Sequence, residues 1–314
     1  MPIKIKDSLP AQEILENENI FVMTEFRAMH QDIRPLNVLI LNLMPNKEVT
    51  ETQILRKLSN SPLQVNVELL QTASYTPTHV DTNHLESFYT TFDMIKDRKF
   101  DGMIITGAPL AYVEYEDVAY WPELCQIMDW AKKHVHCTFF LCWGAFAGLY
   151  HHFGIHHKFY ENKLSGIYPH KALKPTSPLF RGFDDIFYAP HSREIYVEKE
   201  DVENNKDLEL MAYSDEAGVT IVKTEDSRMV FVLCHLEYDA ETLLEEYLRD
   251  KNKGLDPKIP ENYFPDDDPS KKPIVNWRST GQLFYTNWLN YYVYQATPYD
   301  VESIGDEEEK GQKD

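Results

Sequence analysis

Between Leu36 and Gly154, short apolar runs alternate with segments of helical period, and no other feature limits the fold as strongly. "LNVLILNLMP" is a continuous apolar run stopped at Pro45, the pattern of a strand buried on both faces. "KEVTETQILRKLSN" follows, with Val49, Ile54, Leu55 and Leu58 at helical spacing. "QVNVELLQ" predicts a second strand, "HLESFYTTFDMIKD" a helix, and "FDGMIITGAP" a third strand closed by Gly107 and Pro109. "WPELCQIMDWAKKH" reads as an amphipathic helix with Pro122 in its first turn. "HCTFFLC" predicts a fourth strand and "GAFAGLYHHFG" a helix that runs out at Gly154. Alternation at these lengths builds an α/β fold: a doubly wound, mostly parallel sheet with helices on both faces.

The rest of the chain fits around that unit. Residues 1–35 read as an N-terminal arm with one short helix near Ala11–Glu18. Residues 155–215 read as mixed and turn-rich. "MVFVLCHLEYD" repeats the buried-strand pattern over 229–234, and "AETLLEEYLRDKNKG" predicts a helix ending near Gly254. Residues 255–275 are rich in Pro, Asp and Lys and predict a loop; "STGQLFYTNWLNYYVYQAT" predicts a final aromatic helix. We therefore expect a single α/β domain over 36–300 and an acidic, disordered tail over 301–314.

Composition removes several function classes. The chain has 314 residues, 43% hydrophobic, with a net charge of −20, which argues against nucleic acid and anionic membrane as partners. No run approaches the ~20 apolar residues of a membrane span. The N-terminal residues carry no apolar stretch of signal-peptide length, so a cytoplasmic location is expected. Cys125, Cys137, Cys142 and Cys234 show no CxxC spacing, which predicts free thiols. His151, His152, His156 and His157 cluster at a helix end, where the dipole favours cations, so a solvated cap is expected and no metal.

Cys142 is the exception among the thiols. It ends an apolar strand and starts a helix of small residues: Gly144, Ala145, Ala147 and Gly148. A thiol at a helix N-terminus meets unpaired N–H groups and the positive dipole end, which favour thiolate and can receive an oxyanion. This is a nucleophile elbow written with Cys. A cysteine nucleophile needs a base, and the base an orienting group. His235 follows "MVFVLC" as Cys142 follows "HCTFFL", so two parallel strands would deliver both to one sheet edge. Glu237, two residues on, completes a candidate Cys-His-Glu triad.

Many further stretches resemble the homoserine O-succinyltransferase/O-acetyltransferase family of methionine biosynthesis. They include "QDIRPLNVLILNLMPNK", "TETQILR", "FDGMIITGAPL", "DVAYW", "KLSGIYPH", "RGFDD", "APHSR", "NYFPDDDP" and "TNWLNYYVYQATPYD". The resemblance runs over nearly the whole chain. It implies a flavodoxin-like fold similar to class I glutamine amidotransferases, a homodimer, and no cofactor beyond acyl-CoA as co-substrate. It implies that Cys142 takes the acyl group from acyl-CoA and that His235, held by Glu237, activates the hydroxyl of L-homoserine. By the same likeness Lys163, Ser192 and Arg249 fall at substrate-contacting positions. Position 111 is associated with acyl choice: glutamate accompanies acetyl transfer and glycine succinyl transfer. Ala111 carries no charge to repel a distal carboxylate, so the sequence favours succinyl-CoA, with acetyl-CoA as the alternative. Phe146 stands where many relatives have glutamine, and Leu236 where proline is frequent.

Two other readings compete. A glutamine amidotransferase-type cysteine hydrolase would resemble G-x-C-x-G-x-Q at the elbow, but Phe140 and Phe146 occupy the first and last of those positions. A silent binding module would have no reason to keep all three triad residues.

Overall fold

The computed structural model describes residues 3–6, 9–17, 23–24, 34–75, 82–298 and 301–305. The chain begins with β1 (Ile3–Ile5), α1 (Ala11–Asn17) and β2 (Met23–Thr24). An alternating run follows: β3 (Leu36–Leu41), α2 (Lys47–Ser59), β4 (Val65–Leu70), α3 (Thr82–Phe88), β5 (Tyr89–Thr90), α4 (Phe92–Ile95) and β6 (Phe100–Ile105). It continues through α5 (Trp121–His134), β7 (Val135–Leu141) and α6 (Trp143–Phe153). Beyond lie β8 (Lys158–Ala172), β9 (Ile186–Tyr196), α7 (Lys199–Glu203), β10 (Leu208–Ser214), β11 (Gly218–Thr224) and β12 (Met229–Val232). Two helices, α8 (Thr242–Asn252) and α9 (Arg278–Asn287), close the chain, and α9 continues as a π-helical stretch, Trp288–Tyr294.

All the strands join one sheet in the order β2-β1-β4-β3-β6-β7-β12-β11-β10-β8-β9, with β5 beside β4. From β2 to β12 every neighbour is parallel, and from β12 to β9 every neighbour is antiparallel. Period-two alternation divides the core between the two faces. On one face Val38, Ile40, Ile104, Phe139 and Val232 pack with Ile54, Leu58, Phe284 and Trp288. On the other, Leu39, Met103, Ile105, Phe140 and Phe231 pack with Leu124, Ile127, Ala145 and Leu149. The doubly wound, mostly parallel α/β expectation is borne out, and the aromatic C-terminal helix serves the core.

Several local expectations change. The helix expected over 84–97 is broken by β5, because Tyr89 and Thr90 pair with Leu69 and Leu70. Tyr89 is buried and hydrogen-bonded by Asn42 and to Glu51, which holds the break in place. Val49 points outward; α2 instead buries Lys47, Thr50 and Glu51 beside Ile54 and Leu55. Residues 155–215 are chiefly the long antiparallel strands β8 and β9 and the whole of β10, whose mixed burial hid their period. In the N-terminal arm the helix Ala11–Asn17 forms as expected, while Ile3–Ile5 also adds a strand alongside β4. Of the tail expected to be disordered, Val301–Ser303 form a 3-10 turn and Ile304 is buried, its carbonyl accepting from Lys99 Nζ at 2.7 Å, while residues 306–314 lie outside the described residues.

The small residues of α6 are needed where the helix meets the sheet. A Cβ on Gly144 would sit 2.6 Å from the Thr106 carbonyl oxygen and 2.9 Å from that of Ile105. One on Gly148 would sit 2.8 Å from ring carbons of Phe140 and Phe231. Backbone cannot yield as a flexible side chain can. Gly144→Ala should therefore lower stability by about 1–3 kcal/mol, the usual cost of overpacking. A urea midpoint unchanged from the parent would show that α6 does not seat as closely as described.

Candidate active site

The parallel pairing of β7 with β12 sets the site. Val232 stands opposite Leu141, so the residues that follow each strand emerge at one edge. The Cys142 amide donates to the Val232 carbonyl at 2.7 Å, and the His235 amide to that of Pro190 at 2.8 Å. Cys142 turns from β7 into α6 with φ 48 and ψ −119, a left-handed conformation for a residue with a Cβ. Such a conformation costs of order 1–3 kcal/mol and persists only where its surroundings impose it. Here Gly107 supplies the room: a Cβ on Gly107 would lie 3.2 Å from the Cys142 Cβ.

This turn leaves backbone donors beside the sulfur. The first helical bonds of α6 run from Ala145 and Phe146 to the Cys142 carbonyl, at 2.8 and 3.2 Å. The N–H groups of Trp143 and Gly144 come before them, at the position where a helix has no acceptor of its own. They can receive negative charge developing on a carbonyl attacked by Cys142.

The three expected triad residues come together. His235 Nδ1 lies 2.6 Å from Glu237 Oε1, and the Cys142 side chain is within hydrogen-bonding reach of the ring. Burial works to strip the imidazole of its proton. The charges of Cys142 and Glu237, with their hydrogen bonds, outweigh it and hold the His235 pKa well above 6.5. The Tyr238 ring stacks on His235 with centroids 4.1 Å apart, fixing the imidazole plane. Glu237 is buried, and among the described residues its Oε2 has no hydrogen-bond partner. Lys57, also buried, answers that charge. Burial pulls its amine down to about 8 while Glu237 pulls it up.

Lys163, Ser192, Arg249 and Ala111 line the same cavity as Cys142 and His235, about 170 Å³ in volume. Two carboxylates that the sequence reading passed over organise them. Glu246 accepts from Tyr238 Oη at 2.9 Å and from the Ser192 hydroxyl, and lies 3.5 Å from Lys163 Nζ. Asp250 Oδ2 lies 3.3 Å from Lys163 Nζ, and its Oδ1 accepts from Arg249 Nε at 2.9 Å. Glu246, Arg249 and Asp250 fall three and four residues apart on α8, so helical spacing alone could have found the pair. Arg193 was missed as well. It is buried, donates to His191 Nδ1 at 3.2 Å and to the Ala217 carbonyl at 2.6 Å, and lies over the Phe146 ring at 5.7 Å. Glu114 is exposed and does not line the cavity.

The other cysteines fit their expected part. Cys137 and Cys234 are buried and Cys125 half-buried, all free. Burial pushes Cys125 up to about 11 and Cys137 up to about 12. The solvated-cap reading of the histidine cluster fails at His152, whose side chain is 1% exposed with neither ring nitrogen hydrogen-bonded among the described residues. His170 and His191, unremarked in the sequence, stack at 5.1 Å behind the site, and burial drives His170 down to about 3.

Comparison with known proteins places the chain in a family. Residues 2–299 match the sequence model of the family described as homoserine O-succinyltransferase. A homoserine O-acetyltransferase of Methanomethylophilus alvi is 58% identical over 309 residues, covering 98% of this chain and 100% of the relative. A homoserine O-acetyltransferase of Acetivibrio thermocellus is 56% identical over 304 residues, covering 97% and 100%. Among solved structures, a glutamine amidotransferase from Thermotoga maritima superposes with a TM-score of 0.53 at 12% identity, covering 84% of this chain and 100% of that one. That likeness concerns the fold alone.

The coupling of Cys142 to His235 has a direct readout. In Cys142→Ala the imidazole loses its largest source of positive shift but keeps its burial, so it should give up its proton at a lower pH than in the parent. NMR titration of the ring reads this; an unchanged His235 pKa would show that the sulfur is not what holds the proton.

Proposed function

Because the chain belongs to the homoserine O-succinyltransferase family and is a homoserine O-acyltransferase of methionine biosynthesis, we propose that Cys142 carries the acyl group between its two substrates. The Cys142 thiolate attacks the carbonyl of an acyl-CoA thioester, and the Trp143 and Gly144 N–H groups receive the oxyanion. The intermediate collapses to acyl-cysteine and CoA thiolate, which takes the proton from His235. His235, now neutral and held by Glu237, accepts the hydroxyl proton of L-homoserine as its oxygen attacks the acyl-cysteine. The ester leaves and the thiolate is restored. One thioester replaces another in the first half, so the covalent step costs little free energy. The observation that carries this reading is the Cys142–His235–Glu237 line at a strained strand-to-helix turn, which we read as a nucleophile elbow.

Lys163, Ser192 and Arg249 are the proposed homoserine contacts. A guanidinium suits the substrate carboxylate. Glu246 and Asp250 hold that set in place and can share the substrate's ammonium. A second hollow of about 250 Å³ adjoins the cavity through Met44, Ala108 and Pro109, and is the proposed course of the CoA arm. The family likeness also supports a homodimer, with sedimentation velocity as the measurement.

For the donor we propose acetyl-CoA. The relatives compared above are named for acetyl transfer. The cations lining the cavity are also shared with internal partners before any donor binds: Lys163 with Glu246 and Asp250, Arg249 with Asp250, Arg193 with His191 and backbone carbonyls, and homoserine takes what Lys163 and Arg249 have left. A succinyl group would bring a second carboxylate into a site already matching its charges to homoserine, and an unpaired buried charge is expensive. Succinyl-CoA is the second reading, favoured by the uncharged Ala111 on the cavity wall. Mixing the protein with each acyl-CoA alone, quenching in acid and weighing it decides both matters. An acetyl adduct that disappears in Cys142→Ser is expected; no adduct from either donor would remove the acyl-cysteine. A higher kcat/KM with succinyl-CoA would reverse the donor assignment. Ala111→Glu should suppress any succinyl transfer while sparing acetyl transfer, and equal loss of both would show that position 111 does not sense the far end of the acyl chain.

A further inference from the structure

We propose that Asp129, His151 and His152 form a binding site for a first-row transition-metal cation, remote from the acyl-transfer site. Asp129 lies on α5 and the two histidines in the last turn of α6. Asp129 Oδ1 is 3.0 Å from His151 Nε2 and 4.0 Å from His152 Nδ1, and one donor atom from each of the three side chains lies within 4.8 Å of the others. Metal–nitrogen and metal–oxygen bonds of about 2.0–2.2 Å in a tetrahedral site require ligand atoms about 3.4 Å apart. The Asp129 side chain is 60% exposed and that of His151 20% exposed, so small rotations of those two close the remaining gap.

His152 is what makes this more than an exposed ion pair. Its side chain is almost wholly buried, yet among the described residues neither ring nitrogen has a hydrogen-bond partner. Buried polar atoms are nearly always satisfied, so an orphaned imidazole asks for an occupant. Nδ1 faces the Asp129 carboxylate, with the Phe140 and Phe153 rings near the rest of the side chain. Among the described residues this is the one group of three ligating side chains so disposed. Two imidazole nitrogens and one carboxylate suit zinc, cobalt or nickel and not magnesium or calcium, which take oxygen. Three protein ligands leave a coordination position for water.

The cation would tie α5 to the far end of the helix that begins at Cys142. Ten residues of α6 separate the two places, about 15 Å along the axis. The site is thus too distant to touch substrate, and its occupancy should show in stability.

The test is equilibrium dialysis of the full chain against zinc chloride, with Asp129→Asn and His151→Gln alongside, and cobalt as a spectroscopic probe. Expected are one zinc per chain and visible cobalt bands without strong sulfur charge transfer. Zinc should raise the parent's melting temperature but not that of the variants. Each variant should bind more than about tenfold more weakly, since even an outer-shell partner contributes that much. Both variants should retain parental acyl-transfer rates in chelator-treated buffer. Absence of zinc uptake would overturn the proposal. So would equal uptake by parent and both variants, or a cobalt spectrum dominated by thiolate, which would place the metal on the cysteines.

Discussion

The register between β7 and β12 is the constraint on which the site depends. Leu141 pairs with Val232, so Cys142 leaves the sheet one residue after its strand and His235 three residues after its own. A shift by one residue would turn Phe139 and Phe140 to the opposite faces and bury the wrong side of the strand. The two core clusters therefore hold the register, and the register holds the sulfur within reach of the imidazole. The strained Cys142 turn is a consequence: β7 must end under Gly107, and α6 must start at once to keep Gly144 against the carbonyls of Ile105 and Thr106.

Around that turn the structure buries charges in matched sets. His235 faces Cys142 on one side and Glu237 on the other, and Lys57 lies behind Glu237. A Cβ on Gly281 would lie 3.1 Å from Lys57 Nζ and 2.3 Å from the Leu236 carbonyl, so only glycine lets α9 pass over this amine. Truncating one member of such a set leaves another charge unpaired, which costs more than the pair contributes. Arg193, threaded between Phe146 and Tyr160, plays a similar part on the cavity wall. Sequence offered no means of pairing Lys57 with Glu237: they are distant along the chain, and the lysine lies in a helix that reads as ordinary.

What could be read in advance follows a physical line. Buried parallel strands announce themselves as apolar runs, so β3, β6, β7 and β12 and the two triad residues at strand ends were legible. The β8–β9 hairpin was not, because its strands lie at the sheet's antiparallel margin, where one face meets water and polar residues interrupt the alternation. The β5 break escaped for a different reason. It depends on a hydrogen-bonded group made by Asn42, Glu51 and Tyr89, residues brought together only by the fold. His152 escaped likewise, since a helix-end histidine reads as solvated until its side chain is seen buried beside the Phe140 and Phe153 rings.

Acyl choice is the property least written in single residues. Ala111 was read as an absence of repulsion, but an absence admits both donors equally. Discrimination against a carboxylate needs either a like charge or the lack of a free counter-ion. The proposed preference for acetyl rests on the second: Lys163 and Arg249 already face Glu246 and Asp250, and Arg193 faces backbone carbonyls. Glutamate at position 111 and a cation set shared between internal carboxylates and homoserine are, on this proposal, two physical routes to one outcome. On this view a succinyl enzyme of the same fold must do more than remove a glutamate: it must also leave one guanidinium or ammonium without an internal partner.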